Sequence, residues 1–207
     1  MGGVTGGPDM QWLFSVARAN GQSDLVVSYG STTSAQLAVG FEEAAARLAG
    51  TAKGAPLDDI VLMPYLLLMR QSYELELKSA INEFAGVYRR HFDGNTEEWA
   101  RTAVEARLKN ELGHRLLQLY REMERIWNLL DLPERPLPDI AKTVDMFHQL
   151  DPHGVALRYA ARIHKTQQSI SFRDLHSVLA DGLSSLRACV DYVVVGCAAV
   201  PTVDDLT

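Results

Sequence analysis

With 207 residues, a net charge of −6 and a pI near 5.5, the chain is long enough for one domain with a substantial core and lacks the overall basic footprint of a non-specific nucleic-acid binder. Its 47% apolar content excludes a wholly disordered chain, and with this net charge any contact with nucleic acid has to be local. Arg outnumbers Lys, which suits forked recognition of carboxylate or phosphate and follows equally from the base composition of a genome.

In chain order, MGGVTGGPD is too rich in Gly for regular structure, Met10 to Ala19 reads as a short helix, and Leu25 to Tyr29 as a brief extended piece. Residues 1–33 are therefore expected to be an extension, partly disordered, ahead of a bundle over 34–200. No basic segment precedes an apolar stretch at the N-terminus and no apolar run reaches membrane-spanning length, so the expected location is the cytoplasm. Ser34 is placed to cap a helix over Ala35 to Ala49, with Leu37, Phe41, Ala44, Ala45 and Leu48 on one stripe and Gly50 as the stop.

Thr51 to Pro56 is a linker. Leu57 to Met63 then leads into the central stretch, with Pro64 in its first turn or at a kink. From Pro64 to Tyr88, the residues Leu66, Met69, Tyr73, Leu77, Ala80, Phe84 and Val87 recur at spacings of three and four, the apolar stripe of a long buried helix. Arg70, Glu74 and Lys78 repeat one step round from that stripe. Such a row reads as a salt-bridge ladder on a helix surface, or as a charged row facing a partner or ligand groove. Leu62, Leu67 and Leu68 lie outside the stripe and call for a second surface, which a homodimer would supply.

The helix should end near Phe92, before the turn signal Asp93-Gly94-Asn95. Thr96, followed by Glu97 and Glu98, begins another helix through Trp99, Ala103, Ala106 and Leu108 until Gly113 interrupts it. Leu116, Leu119, Tyr120, Met123, Ile126, Trp127 and Leu130 continue an apolar face up to the prolines of LPERPLP. Pro138 suits the first turn of a helix to Leu150, and DPHG at 151–154 is a turn. From Pro152 to Arg173 there is no acid, while Arg158, Arg162, Lys165 and Arg173 are basic, which makes this stretch either a solvated loop or a phosphate-binding segment. VALRYAARI reads as one arm of a short hairpin or as an irregular loop. Ser171 with Asp174 forms a capping box for a last helix carrying Phe172, Leu175, Leu179, Leu183, Leu186, Val190 and Val193. Residues 201–207 are a loose acidic tail. Cys189 and Cys197 lack metal-site or framework spacing and read as core residues. The expected fold is all-α: an up-and-down bundle of four or five long helices with a short irregular or hairpin insertion before the last.

Glu111-Leu-Gly-His114 has the E-x-x-H spacing of carboxylate-bridged di-iron bundles, but the second copy that such a site needs is missing; no metal and no cofactor are expected. GxSxG, Walker and GxGxxG motifs are absent as well.

MPYLLLMRQSYELELKSAI from Met63 to Ile81, GHRLL from Gly113 to Leu117, LRY from Leu157 to Tyr159 and a last helix together resemble the HEPN-like helical domains of prokaryotes, over roughly Phe41 to Val194. The resemblance implies a helical bundle that dimerises and engages nucleotides or RNA, including metal-independent ribonucleases of toxin–antitoxin and phage-defence systems with antitoxin partners. Catalytic members of that family carry Arg, four to six residues, then His near the start of a late helix. Here Arg158 to His164 has five between and Arg107 to His114 has six, pairs that chance alone also yields, and Arg173 to His176 is too close. His would serve as acid or base at the ribose 2′-hydroxyl while Arg stabilises the phosphorane charge. The residues singled out are Arg70, Glu74, His114, Arg158 and His164 for catalysis, and Arg158, Tyr159, Arg162 and Lys165 for holding RNA or phosphate. The competing class is a non-enzymatic helical dimer or adaptor, in which Arg70, Glu74 and His114 form a polar network tying helices together.

Overall fold

The structure, a computed structural model, describes residues 33–92, 97–159 and 170–198. They belong to the second of two units, Thr33–Thr207; the first, Met1–Thr32, lies outside the described residues together with the expected helix over Met10 to Ala19 and extended piece over Leu25 to Tyr29. The second unit is an all-α bundle, and no strand occurs among the described residues. Where the sequence allowed a hairpin arm or an irregular loop over Val155 to Ile163, the described part is a 3₁₀ turn at Ala156–Arg158, and the residues of that segment after Tyr159 lie outside the described ones.

Helix α1 spans Ser34–Ala49. Its cap is Thr33 rather than Ser34: the Thr33 hydroxyl accepts from the Gln36 N–H at 3.2 Å, and the Gln36 side chain accepts from the Thr33 N–H at 2.9 Å. A capping box one residue earlier satisfies two orphan donors, and Ser34 cannot do so from inside the first turn. Helix α2 runs over Asp58–His91 and starts where the Asp58 carboxylate gathers the N–H groups of Lys53 and Ala55, at 2.8 and 2.9 Å. Pro64 stands inside α2, beyond the first turn. The bond it cannot donate would have gone to the Ile60 carbonyl, and both residues lie on the exposed side where water can replace it.

A 3₁₀ turn at Glu97–Trp99 precedes α3, Arg101–Arg107. The uninterrupted helix expected from Thr96 is broken here because Trp99 is buried against Tyr88, with ring centroids 5.2 Å apart, and its carbonyl accepts from Arg89 Nη1 at 2.7 Å instead of from a helical N–H. A π-helical turn, Leu108–Leu112, follows and ends at Gly113. Helix α4 (Leu116–Leu129), α5 (Pro138–Leu150, with Pro138 in its first turn) and α6 (Phe172–Ala198) complete the bundle.

Helix α2 is the hub, packed by α1, α4 and α6, while α5 lies against α4 and α6. All seven residues of its predicted stripe are buried, as are Cys189 and Cys197 on α6. Leu62, Leu67 and Leu68 pack partly buried against this same core, so the second surface they require comes from within the chain. Leu57 and Ile60 remain exposed. No described helix is long and apolar enough to cross a membrane.

The crossing of α2, α5 and α6 is set by Gly182. A Cβ there would overlap the Tyr73 hydroxyl and come within 2.7 Å of Thr143 Oγ1. Tyr73 in turn donates to the Leu179 carbonyl at 2.7 Å, so its ring cannot retreat without stranding a buried hydroxyl. Gly182→Ala is expected to destabilise the fold by about 1–3 kcal/mol through overpacking, read as a lower urea midpoint. A midpoint unchanged or raised, as helix propensity alone would give, would contradict this close approach.

Candidate functional site

Arg70 is the largest fully buried side chain, 2% exposed, and the site is built round it. Helical spacing puts Glu74 one turn on and Lys78 a turn further, on one face of α2. Two chain segments come down on that face: the Gly113–Arg115 link between the π turn and α4, and the loop from Asp151 to Arg158 after α5.

Asp151 organises the second of these. Its Oδ1 accepts from the N–H groups of Val155 and Ala156 at 2.7 and 2.9 Å, curling the loop back, and its Oδ2 lies 3.4 Å from Arg70 Nε as an ion pair. Burial pushes this carboxyl up, but the N–H groups of Ala156 and Val155 and the Arg70 charge outweigh it and hold it below the ordinary aspartate value. Burial also lowers the pKa of Arg70, against the pull of Asp151 and Glu74. Arg70 reaches Glu74 Oε2 with Nη1 at 3.4 Å and donates from Nη2 to the backbone carbonyl of His114 at 2.6 Å. One guanidinium thus ties α2, the 151–158 loop and the 113–115 link together.

The outer layer differs in kind. Glu74, 1% exposed, offers Oε1 to two donors, Lys78 Nζ at 2.7 Å and His114 Nδ1 at 2.8 Å, while the His114 side chain is 58% exposed. A carboxylate can only accept, so the ring proton is assigned to Nδ1, leaving Nε2 free to take or give a proton at the surface. Lys78, Glu105, Leu108, Lys109, Gly113 and His114 line an open groove of about 300 Å³ at this point. The arrangement is a buried acid, an oriented imidazole and a basic rim, which suffices for acid–base chemistry on an anionic ligand.

Arg70, Glu74 and His114 are therefore brought together, although Arg70 meets the His114 backbone rather than its ring. Arg158 and Tyr159 are exposed at the far end of the Asp151 loop, and the Arg158 charge is felt at Arg70. His164, Arg162 and Lys165 lie outside the described residues. Arg107 is turned to Glu98 and Glu122, at 3.3 and 3.1 Å, and stacks on Trp99. His176 is engaged with the Tyr65 hydroxyl at 3.0 Å. Glu111 is exposed, and no group of three His, Cys, Asp or Glu is placed to hold a metal among the described residues. Sequence reasoning missed Asp151 and placed Lys78 in the charged row with Arg70 and Glu74 without naming it among the site residues. The one signal for Asp151 was its position as the last acid before the acid-free stretch.

Comparison of the chain with protein-family models, curated proteins and solved structures gives no match.

Proposed function

We propose that this protein is a HEPN-like, RNA-engaging protein acting as a metal-independent ribonuclease, of the kind that serves in toxin–antitoxin or phage-defence systems as a homodimer with an antitoxin partner. The observation that carries the reading is the buried Glu74 carboxylate holding His114 by Nδ1, with Nε2 presented to an open basic groove. Support comes also from the convergence of the three segments that resemble the family, those around Arg70, His114 and Leu157, on one cluster. In the proposed step, Nε2 takes the proton of a ribose 2′-hydroxyl and the 2′-oxygen attacks the adjacent phosphorus. The bond to the 5′-oxygen breaks, leaving a 2′,3′-cyclic phosphate and a 5′-hydroxyl protonated by the imidazolium or by water. Arg158 holds a neighbouring phosphate, and exposed Tyr159 offers a ring on which a base stacks.

His114→Ala is expected to lower cleavage of single-stranded RNA by about 10²–10⁴-fold. Unfolding free energy should stay within about 1 kcal/mol of the parent, since the ring is largely exposed and Lys78 still neutralises Glu74. Normal cleavage alongside a large loss of stability would instead favour the second reading, a non-enzymatic helical adaptor. That reading draws on the Arg70–Asp151 pair, which binds the segments together with no face to solvent.

A further inference from the structure

The groove contains a group that the proposed chemistry does not use. Lys78 Nζ and His114 Nδ1 converge on the same oxygen of Glu74, so the ammonium and the imidazole nitrogen are no more than about 5.5 Å apart. An ammonium carries three donors, and Glu74 takes one. The Lys78 side chain is 21% exposed against 1% for Glu74 and lines the groove, so it stands at the boundary between the buried acid and the open space. Lys109 lines the same groove and is exposed. The one acid on the rim, Glu105, is matched by Arg101 at 2.9 Å. The charge left over on the rim is positive, beside an imidazole whose outer nitrogen is available.

We infer that Lys78, assisted by Lys109, is the phosphate-holding group of this groove, seating one phosphate oxyanion next to His114 Nε2. The inference rests on the reading of His114 given above and adds the residue that binds the reacting group. A compact ammonium suits this role because it acts as a point charge on tetrahedral oxygens without demanding a planar, two-toothed fit. Glu74 then has two tasks from one oxygen: it fixes the tautomer of His114 and anchors the ammonium that positions the phosphate. Phosphate chemistry of this kind could come from an RNA backbone, a mononucleotide or free phosphate, so the test separates the three.

The experiment follows the His114 ring resonances by NMR at low salt while adding inorganic phosphate, then uridine monophosphate, then a 2′-O-methyl RNA oligomer that cannot be cleaved. Each probe that uses the site should shift His114 saturably. Lys78→Met should weaken that binding at least about tenfold, the equivalent of one charge-assisted hydrogen bond, with Lys109→Gln weakening it about threefold. Lys142→Gln, an exposed lysine on α5 paired with Asp139, is the charge-matched control and should have no effect. Lys109 is exposed, so its variant tests the groove even if Lys78→Met fails to fold. Binding of phosphate or the mononucleotide that depends on Lys78 and Lys109, without RNA cleavage by the parent, upholds this subsite and sinks the ribonuclease reading. RNA cleavage that persists with its KM unchanged in both variants, or a His114 signal that phosphate never moves, overturns the subsite whatever becomes of that reading.

Discussion

Arg70→Met is expected to lower the unfolding free energy by about 3–5 kcal/mol, the range for removing one partner of a buried ion pair and leaving the other charge uncompensated. Methionine fills much of the stem's volume, so the loss is electrostatic rather than a cavity effect. Glu74 keeps Lys78 and His114 as donors, whereas Asp151 loses the counter-charge of Arg70 and the His114 carbonyl its 2.6 Å donor. A urea midpoint that falls with an unchanged slope is the signature, and a loss under about 1 kcal/mol would show the guanidinium to be dispensable. Acid titration gives a second reading. Asp151 has a folded-state pKa below its unfolded value, so its contribution is complete above the ordinary aspartate pKa, about 3.9, and is lost as pH falls through the lower folded value. In Arg70→Met one of the causes of that depression is gone, so this acid-labile component should shrink. It should not vanish, because the N–H groups of Ala156 and Val155 still hold the carboxylate.

Most of the bundle was legible because its signals are local. Apolar periodicity along Leu66 to Val87, the prolines after Leu132 and the first-turn Pro138 each act within a few residues, and the structure follows them. What was not legible depended on distant packing. The spacing of Arg70, Glu74 and Lys78 placed them at the edge of a stripe, where burial is decided by what covers the edge. Here the cover is a loop some eighty residues later in the chain, which converts an apparent surface ladder into a buried cluster. Asp151 was hidden for a related reason: Asp before Pro reads as turn punctuation, and only the fold shows that its other oxygen faces a guanidinium. Trp99 broke a helix that its neighbours favour, since burial of an indole outweighs the weak propensities of a short segment. His114 was found through GHRLL, but its ring pairs with Glu74 rather than with Arg70, a choice made by the packing of two segments forty residues apart.

The buried cluster also fixes the geometry of the outer groove. Ion pairs removed from water add little net stability over apolar replacements, and their best-attested use is to select one arrangement. Arg70 has partners on α2, on the 113–115 link and on the 151–158 loop at once, so no partner can slide without unpairing another. His114 is thereby held at its backbone by Arg70 and at its ring by Glu74, itself bonded to Arg70.

Gly154→Ala is the change expected to break both layers together. The residue has φ of +77°, in the left-handed region that costs an L-residue about 1–2 kcal/mol. Its added Cβ would also lie 2.9 Å from His114 Cβ and 3.0 and 3.1 Å from the two terminal nitrogens of Arg70. Neither neighbour can give way freely: Arg70 is held by Asp151 and Glu74, and moving His114 strains both its carbonyl bond to Arg70 and its 2.8 Å ring bond to Glu74. Strain and overpacking together should lower the unfolding free energy by about 2–4 kcal/mol. The His114 ring resonances should shift, and on the ribonuclease reading proposed above RNA cleavage should fall along with stability, whereas His114→Ala on that reading loses activity alone. Gly113→Ala separates the two contributions, because Gly113 also has positive φ, +56°, yet nothing lies within 4 Å of the position its Cβ would take. That variant should carry backbone strain alone, about 1–3 kcal/mol for its φ of +56° with ψ of −119°, and no overpacking. If Gly154→Ala costs no more than about 1–2 kcal/mol in urea unfolding, the left-handed strain by itself, and leaves the His114 signals in place, the 151–158 loop does not clamp the Arg70–His114 link as its geometry requires.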